Sequence, residues 1–373
     1  MMQKAGANEL IEDVHKRDLC IGCGACVELC PYFKNYKGKT SQLFPCTLEQ
    51  GRCYAYCPKA EVNPDDLSQK IFNRPYDGSP LGNVQEVVAA RAGQKAPTGV
   101  FQAGGTATAL MGFALKNDVI DVAALTGQKD SIPIPKTATH WEEVVRFATS
   151  KYMSAPTLSA VNMAKNQGYQ RIGIVGTPCQ MTAVAQMRFN DLQKAEHAVP
   201  IGLSIGLFCN WSLDTRLFTA LLSERLDLSD IKRMDIPPPP ANLMRLETGG
   251  RIEEVPLSDI KPSIPPTCFI CLDLTAELAD ISLGMFEGKP GWNTLIIRSG
   301  RGAEMVEQAR HAGFIETEDY PEKQLKHLSK AAAAKKARSM RMLLRRELIN
   351  SQGDQRAAIR IPQQVVDKIL EES

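Results

Sequence analysis

Four cysteines in the stretch CIGCGACVELCP, residues 20–31, recur at a spacing that suits a metal cage better than a disulfide. Cys20, Cys23 and Cys26 stand every third residue, and Cys30-Pro31 follows after three more. So tight a loop can turn three thiolates toward one cubane iron–sulfur cluster and send the fourth to a neighbouring cluster. Disulfides inside such short loops would restrain the unfolded chain little. Gly22 and Gly24 allow the backbone to wrap closely around the cage. A second group, PCTLEQGRCYAYCP at 45–58, supplies Cys46, Cys53 and Cys57-Pro58. Pairing the two Cys-Pro ends across a pseudo-twofold gives the first cluster Cys20, Cys23, Cys26 and Cys57. Cys30, Cys46 and Cys53 are then left with three thiolates, because Gln50 stands near the place where a fourth would be expected. A three-iron cluster, a non-cysteine fourth ligand and an empty second half all stay open at this point.

The other four cysteines are far apart in sequence. Cys179 lies in GTPCQ after one apolar run, Cys209 follows GLF at the end of another, and Cys268 and Cys271 form the pair in TCFIC. If both runs are parallel strands, their C-terminal ends face one crevice, where open α/β sheets bind ligands. Four thiolates there would suit a further iron–sulfur cluster or a tetrahedral zinc. The alternative is that Cys179 and Cys209 are small buried hydrophobes.

The elements that must position these sulfurs follow from hydrophobic pattern. EVVAARA (86–92), VIDVAALTG (119–127), RIGIVGTPCQ (171–180) and IGLSIGLFCNW (201–211) read as strands, the last two running into loops. QAGGTATALMGFALKN (102–117) and TLSAVNMAKNQG (157–168) read as helices. The alternation implies an α/β domain with a mainly parallel sheet over 76–310. A small α+β ferredoxin-like two-cluster module precedes it over 1–75, and a helical tail follows over 311–373. RPYDGSPLG (74–82) reads as a linker and IPPPPAN (236–242) as a turn. In the tail, Met340, Leu343, Leu344 and Leu348 share one helical face, and Arg338, Arg341 and Arg345 form a basic stripe. A solvated helix and a docking helix both fit that pattern.

A net charge of +2 over 373 residues points to neither nucleic acid nor an acidic substrate. Eleven cysteines at metal-ligand spacing fit a reducing compartment, and the polar N-terminus is no signal peptide. No apolar run is long enough to span a bilayer, so a cytoplasmic protein is expected. The histidines at 15, 140, 197, 311 and 327 have no ligand spacing.

Several motifs together resemble the coenzyme F-420 hydrogenase/dehydrogenase beta-subunit family. They are GTPCQ, GLFCNW, CFICLDLTAELADISLG (268–284), GWNTLIIRSGRG (291–302), LGNVQEVVAARA, QAGGTATAL and SKYMSAPTLSA (150–160). The family also takes in formate dehydrogenase beta subunits, F-420H2 dehydrogenase input subunits and some chlorophyll-ring reductases. The resemblance implies a flavin, usually FAD, beside a 4Fe–4S cluster held by Cys179, Cys209, Cys268 and Cys271. It implies flavin contacts at Gly104, Gly105 and Thr106, at Ser150, Lys151, Tyr152 and Ser154, and at Thr177 and Pro178.

Chemistry agrees in part. A glycine turn entering a helix can receive a phosphate, and hydroxyls with one lysine can hold a pyrophosphate. No GxGxxG is present, so NAD(P) is not the expected hydride partner. Asp273, Glu277 and Asp280 either line the site or serve as ordinary helix carboxylates. The function implied is an oxidoreductase passing electrons, through FAD and 4Fe–4S clusters, between a hydride carrier, coenzyme F-420 or a similar one, and one-electron carriers such as ferredoxin or partner subunits. The alternative is a relay and docking subunit of a hydrogenase, formate dehydrogenase or heterodisulfide reductase-like complex, without a small-molecule substrate of its own.

Overall fold

The computed structural model describes residues 5–189, 192, 197–238, 240–351, 353 and 355–371. Its N-terminal segment carries helix α1 (Ala7–Leu10), a hairpin of β1 (Phe33–Tyr36) and β2 (Lys39–Gln42), helix α2 (Arg52–Ala55) and helix α3 (Pro64–Phe72). Local sequence starts and stops α3. The Asn63 side chain accepts from Asp66 N–H, Pro64 stands in the first turn, and Asn73 ends the helix in the left-handed region at φ 54°.

The central sheet follows. Its strands are β3 (Glu86–Ala92), β4 (Val122–Lys129), β5 (Ile132–Ala138), β6 (Ile172–Gly176) and β7 (Ile201–Leu207), joined later by three more. A separate antiparallel sheet of β8 (Arg233–Asp235), β9 (Leu243–Glu247) and β10 (Ile252–Pro256) interrupts them. The late strands are β11 (Ile281–Met285), β12 (Asn293–Ile297) and β13 (Ile315–Asp319). The order across the sheet is β13-β3-β12-β11-β7-β6-β4-β5. The middle four, β11, β7, β6 and β4, pair in parallel, while β5 on one side and β12, β3 and β13 on the other pair antiparallel. Helices α4 (Thr106–Lys116), α5 (Leu158–Asn166), α6 (Pro178–Phe189) and α9 (Gly300–His311) pack around this sheet. Helices α7 (Thr215–Ser223) and α8 (Leu257–Ile260) accompany the small sheet. The parallel strands are apolar on both faces, as burial on both sides demands: Ile172, Ile174, Leu203 and Ile205 are all fully buried.

The N-terminal segment does not stand apart from the sheet. Cys23 O accepts from Leu158 N–H at 3.0 Å, and Asn162 Nδ2 of α5 donates to Ala25 O and Val27 O at 3.1 and 2.7 Å. Ile21, Cys23, Ala25 and Tyr56 share one hydrophobic cluster with Leu158, Ile174 and Met181. Gly24 is the contact point. It sits at φ +88°, and a Cβ there would lie 2.5 Å from Pro156 O. Gly24→Ala is therefore expected to destabilise the chain by about 1–3 kcal/mol, measured by urea unfolding of the protein.

The tail folds back on the same segment. Helix α10 (Glu322–Arg345) buries Met340 and Leu343, and α11 (Gln363–Glu371) buries Val365, Val366 and Ile369. All five pack with Leu10, Val14, Leu19 and Phe33 in one core. Each such side chain contributes roughly 1.5–3 kcal/mol. Leu348 joins this core, whereas Leu344, one position further round the helix than Leu343, is exposed beside Arg338, Arg341 and Arg345. The partner of the tail's apolar face is thus this chain's own start.

The 74–82 stretch is likewise pinned rather than loose. Tyr76 N–H donates to Asp65 Oδ1, and the Ser79 carbonyl accepts from Lys336. The 236–242 turn connects β8 to β9, and its residue 239 lies outside the described residues. Among the described residues, no helix is long and apolar enough to cross a membrane.

Candidate functional site

None of the eleven cysteines is in a disulfide, and they fall into three neighbourhoods. Cys20, Cys23, Cys26 and Cys57 line one small cavity, together with Leu10 and Val14. Burial pushes the Cys23 and Cys26 thiols well above their ordinary value, and the neighbouring thiols add to it, Cys57 on Cys23 and Cys20 on Cys26. Burial carries Cys57 up to about 12.

The second neighbourhood is Cys53 with Cys30 and Cys46. Burial pushes Cys53 up to about 12, with the other two thiols adding to the shift. Gln50 is exposed on the loop between Cys46 and Cys53.

The third neighbourhood gathers the four cysteines that are remote in sequence. Cys179 comes from α6, Cys209 from just past β7, and Cys268 and Cys271 from the turn at Pro266–Ile270 and its end. Burial pushes Cys209 up, with Cys268, Cys179 and Cys271 as its thiol neighbours, and carries Cys268 up to about 11. The expected loop after β6 is in fact a helix start. Pro178 opens α6 directly, so Cys179 sits in its first turn.

The neighbourhoods are in series. Cys30, Cys46 and Cys53 share one hydrophobic cluster with Cys20, Cys26 and Cys57, and Cys23 shares another with Cys179 and Cys268. The first set therefore stands between the second and the third.

The surroundings fit a group that draws negative charge onto sulfur. Ser212 N–H donates to Cys268 Sγ at 3.4 Å, and Thr177 Oγ1 lies 3.3 Å from Cys179 Sγ. Two buried lysines adjoin the third set. Lys59 faces Cys57, Cys179 and Cys268, and Lys335 donates to the Cys209 and Asp273 carbonyls at 2.6 and 2.7 Å. Thiols raised by burial ionise only when metal charge compensates them, which is what an iron–sulfur group supplies. Among the described residues, no three Cys, His, Asp or Glu side chains stand close enough to share a single metal ion.

The segments expected to touch a flavin form a continuous rim beside the third set. Gln102 Oε1 accepts from Ser150 N–H at 3.2 Å, tying the loop before α4 to the 150–154 segment. Ser154 N–H donates to Leu213 O, and its hydroxyl lies 3.4 Å from that of Ser212, the residue whose amide reaches Cys268. Gln180 Nε2 donates to Ala155 O, and its Oε1 accepts from Thr177 N–H, so Thr177 and Pro178 join the rim.

Lys151 is half-buried, with no acidic partner among the described residues. Its ammonium donates to Ala148 O at 3.0 Å and Thr149 Oγ1 at 3.1 Å, and burial lowers it to about 8. The Tyr152 hydroxyl accepts from Ile236 N–H at 3.1 Å. At the glycine turn the packing is tight. A Cβ at Gly104 would lie 2.7 Å from Asn293 Oδ1 and one at Gly105 2.5 Å from the Phe101 ring, while Thr106 N–H and Oγ1 both bond Asn293 Oδ1.

Asp273 and Glu277 line a cavity together with Cys179 and Cys271, and all three carboxylates after the cysteine pair are held by partners in the fold. Asp273 accepts from the N–H groups of Thr275 and Glu277, and Asp280 accepts from Ser204 and Ser299. Glu277 pairs with buried Lys336 at 2.8 Å. A strand, not a helix, follows them. Lys59, Lys335 and Gln102 were not singled out from sequence, although Lys59 directly follows the Cys57-Pro58 that marks the module.

Comparisons with known proteins agree with this geometry. The N-terminal part of the coenzyme F420 hydrogenase/dehydrogenase beta-subunit family matches residues 87–162, and its C-terminal part matches 169–323. A 4Fe–4S binding domain matches 14–32. The beta subunit of the coenzyme F420 hydrogenase of Methanosarcina barkeri is 29% identical, over 65% of this chain and 84% of its own length. One subunit of the F(420)H(2) dehydrogenase of Methanosarcina mazei is 28% identical, over 80% of this chain and 85% of its own. The coenzyme F420-dependent sulfite reductase of Methanocaldococcus jannaschii is 25% identical over 87% of this chain, which spans 51% of that protein. Among solved structures, a chain of the F420-reducing [NiFe] hydrogenase complex from Methanosarcina barkeri superposes with a TM-score of 0.66 at 28% identity. It covers 71% of this chain and 93% of its own. The first family match spans the rim segments at 102–106 and 150–154, and the second spans all four cysteines of the third set. This chain belongs to the coenzyme F420 hydrogenase/dehydrogenase beta-subunit family.

Proposed function

We propose that this protein is an iron–sulfur flavoprotein oxidoreductase. It passes electrons between a hydride carrier, coenzyme F-420 or one of the same chemistry, and one-electron acceptors. Those acceptors are ferredoxin or the partner subunits of a hydrogenase, formate dehydrogenase or heterodisulfide reductase-like complex. The observation that carries the reading is the series of cysteine sets ending against the Ser150–Ser154 rim through Ser212. When bound, FAD would exchange a hydride for single electrons, and the clusters would relay those electrons one at a time.

The chain's own part is to hold and insulate. Cys20, Cys23, Cys26 and Cys57 ligate one 4Fe–4S cluster, and Cys179, Cys209, Cys268 and Cys271 another. Cys30, Cys46 and Cys53 hold a third, incomplete or three-iron group. Lys151 supplies the positive charge that a flavin pyrophosphate needs, and being half-buried with no carboxylate partner among the described residues keeps that charge available to the ligand. Phe101 and Asn293 close the helix start at Gly104–Thr106, so those residues bound the site by shape.

Two measurements test this. Reduced F-420 added anaerobically to the loaded protein should bleach the flavin band and then the cluster bands. Bleaching only by reduced ferredoxin would favour the relay role without a substrate. Lys151→Met should weaken FAD binding at least tenfold, about 1.4 kcal/mol, with iron content unchanged. Unaltered FAD affinity in that variant would remove Lys151 from the site.

A further inference from the structure

Two consecutive lysines of α10 are buried, and they are neutralised differently. Lys336, 1% exposed, forms its ion pair with Glu277. Lys335, 3% exposed, gives its hydrogen bonds to two main-chain carbonyls, those of Cys209 and Asp273. These belong to the two stretches that bring in the third cysteine set, Cys209 itself and the residue two past Cys271. The Asp273 carboxylate faces Lys335 as well, but its oxygens already accept from Thr275 and Glu277 N–H at 2.9 and 2.8 Å. The thiols of Cys271, Cys209, Cys268 and Cys179 also face this ammonium. A buried cation needs such compensation to be held at all.

We propose that Lys335 is a positioning residue for electron transfer, whose fixed charge favours the reduced state of the group held by Cys179, Cys209, Cys268 and Cys271. The proposal rests on the reading that those four cysteines hold a 4Fe–4S cluster. Each electron entering such a cluster adds one negative charge without making or breaking a bond, and the electron comes from the hydride carrier or, in the test, from dithionite. In surroundings of low dielectric constant a cation a few ångströms away stabilises that added charge strongly. The two carbonyls prevent the ammonium from swinging away. The tail, which lies largely beyond the family match ending at residue 323, thereby reaches into the redox centre of the sheet domain. Lys59 acts differently, since it faces Cys57 of the first set as well as Cys179 and Cys268.

The test is a potentiometric titration of the anaerobically prepared full chain, followed by electron paramagnetic resonance. Lys335→Gln keeps a donor for the carbonyls and removes the charge. At a fixed potential its sheet-domain cluster should show a reduced-to-oxidised ratio at least tenfold lower, a shift of about 59 mV for a one-electron couple. The module's cluster should stay within about twofold, and Lys335→Arg should hold the sheet-domain ratio within about threefold. An unchanged ratio in an iron-replete Lys335→Gln chain overturns the proposal. Loss of the cluster's iron in that variant also overturns it, because Lys335 would then be a structural prop. Failure of the underlying cluster reading is told apart beforehand, since the unaltered chain would then carry no iron dependent on Cys268 and Cys271.

Discussion

Cys271→Ser should strip about four irons from each chain and stop electron passage between hydride carrier and acceptor, while the N-terminal module keeps its own iron. Cys271 comes from the turn at Pro266–Ile270, whereas Cys179 and Cys209 follow the ends of the central strands β6 and β7. Serine is close in size, so the turn at Pro266–Ile270 keeps its packing on α10. A serine hydroxyl, however, ionises far less readily than a thiol, and the site is buried. The effect on redox chemistry should be large because the first set adjoins both the others and the third reaches the Ser150–Ser154 rim through Ser212. Iron and sulfide analysis with circular dichroism separates this outcome from unfolding. A folded Cys271→Ser chain with its full iron and its full rate would remove the third set from the pathway.

The largest effect on stability is expected from Lys336→Met. Lys336 Nζ lies 2.8 Å from Glu277 Oε1, with side-chain exposures of 2% and 6%, and it also donates to Ser79 O and approaches the Tyr76 hydroxyl at 3.1 Å. Burial pushes Glu277 up to about 7 even against the pull of this lysine and of Arg298. Removing the cation leaves Glu277 buried and unpaired, at a cost of about 3–5 kcal/mol. The same lysine fastens the tail to the 76–79 stretch, so the loss should appear as a lower urea midpoint together with earlier proteolysis near residue 76. Combining Lys336→Met with Glu277→Gln should recover a large part of the loss, since the orphaned charge is then gone. A double variant no more stable than the single one would show that the lysine's contacts with Tyr76 and Ser79 carry the stability instead.

These two cases also show where sequence is informative. The thiols were legible because cysteine is the usual iron–sulfur ligand and the spacing is local for two of the three sets. The strand at EVVAARA and the helix after QAGG emerged where their patterns placed them, because burial on a sheet or a helix face imprints a period on neighbouring residues. The start of α6 was legible and was passed over. In TPCQ, Pro178 opens the first turn and Gln180 reaches back to Thr177 N–H, which is half of a capping box. The roles of Lys335 and Lys336 were not legible. They lie in an alanine- and lysine-rich run whose composition reads as a solvated helix. Their partners, Cys209 and Glu277, are 126 and 59 residues away in sequence. The three-stranded sheet of β8, β9 and β10 was missed for a related reason, since its strands are only three to five residues long and flank a proline run.

The central claim is that three cysteine sets and a flavin form one electron path within this chain. Its most direct test is anaerobic purification of the unaltered protein, followed by iron, sulfide and flavin counts on the same sample. The account predicts one FAD per chain and about eleven to twelve irons, or about eight if the Cys30, Cys46 and Cys53 set is empty. A filled second set should also give a three-iron signal in electron paramagnetic resonance of the oxidised protein. Iron-replete protein that carries no flavin and gains none on adding FAD would contradict the account, as would a count of about four irons or fewer.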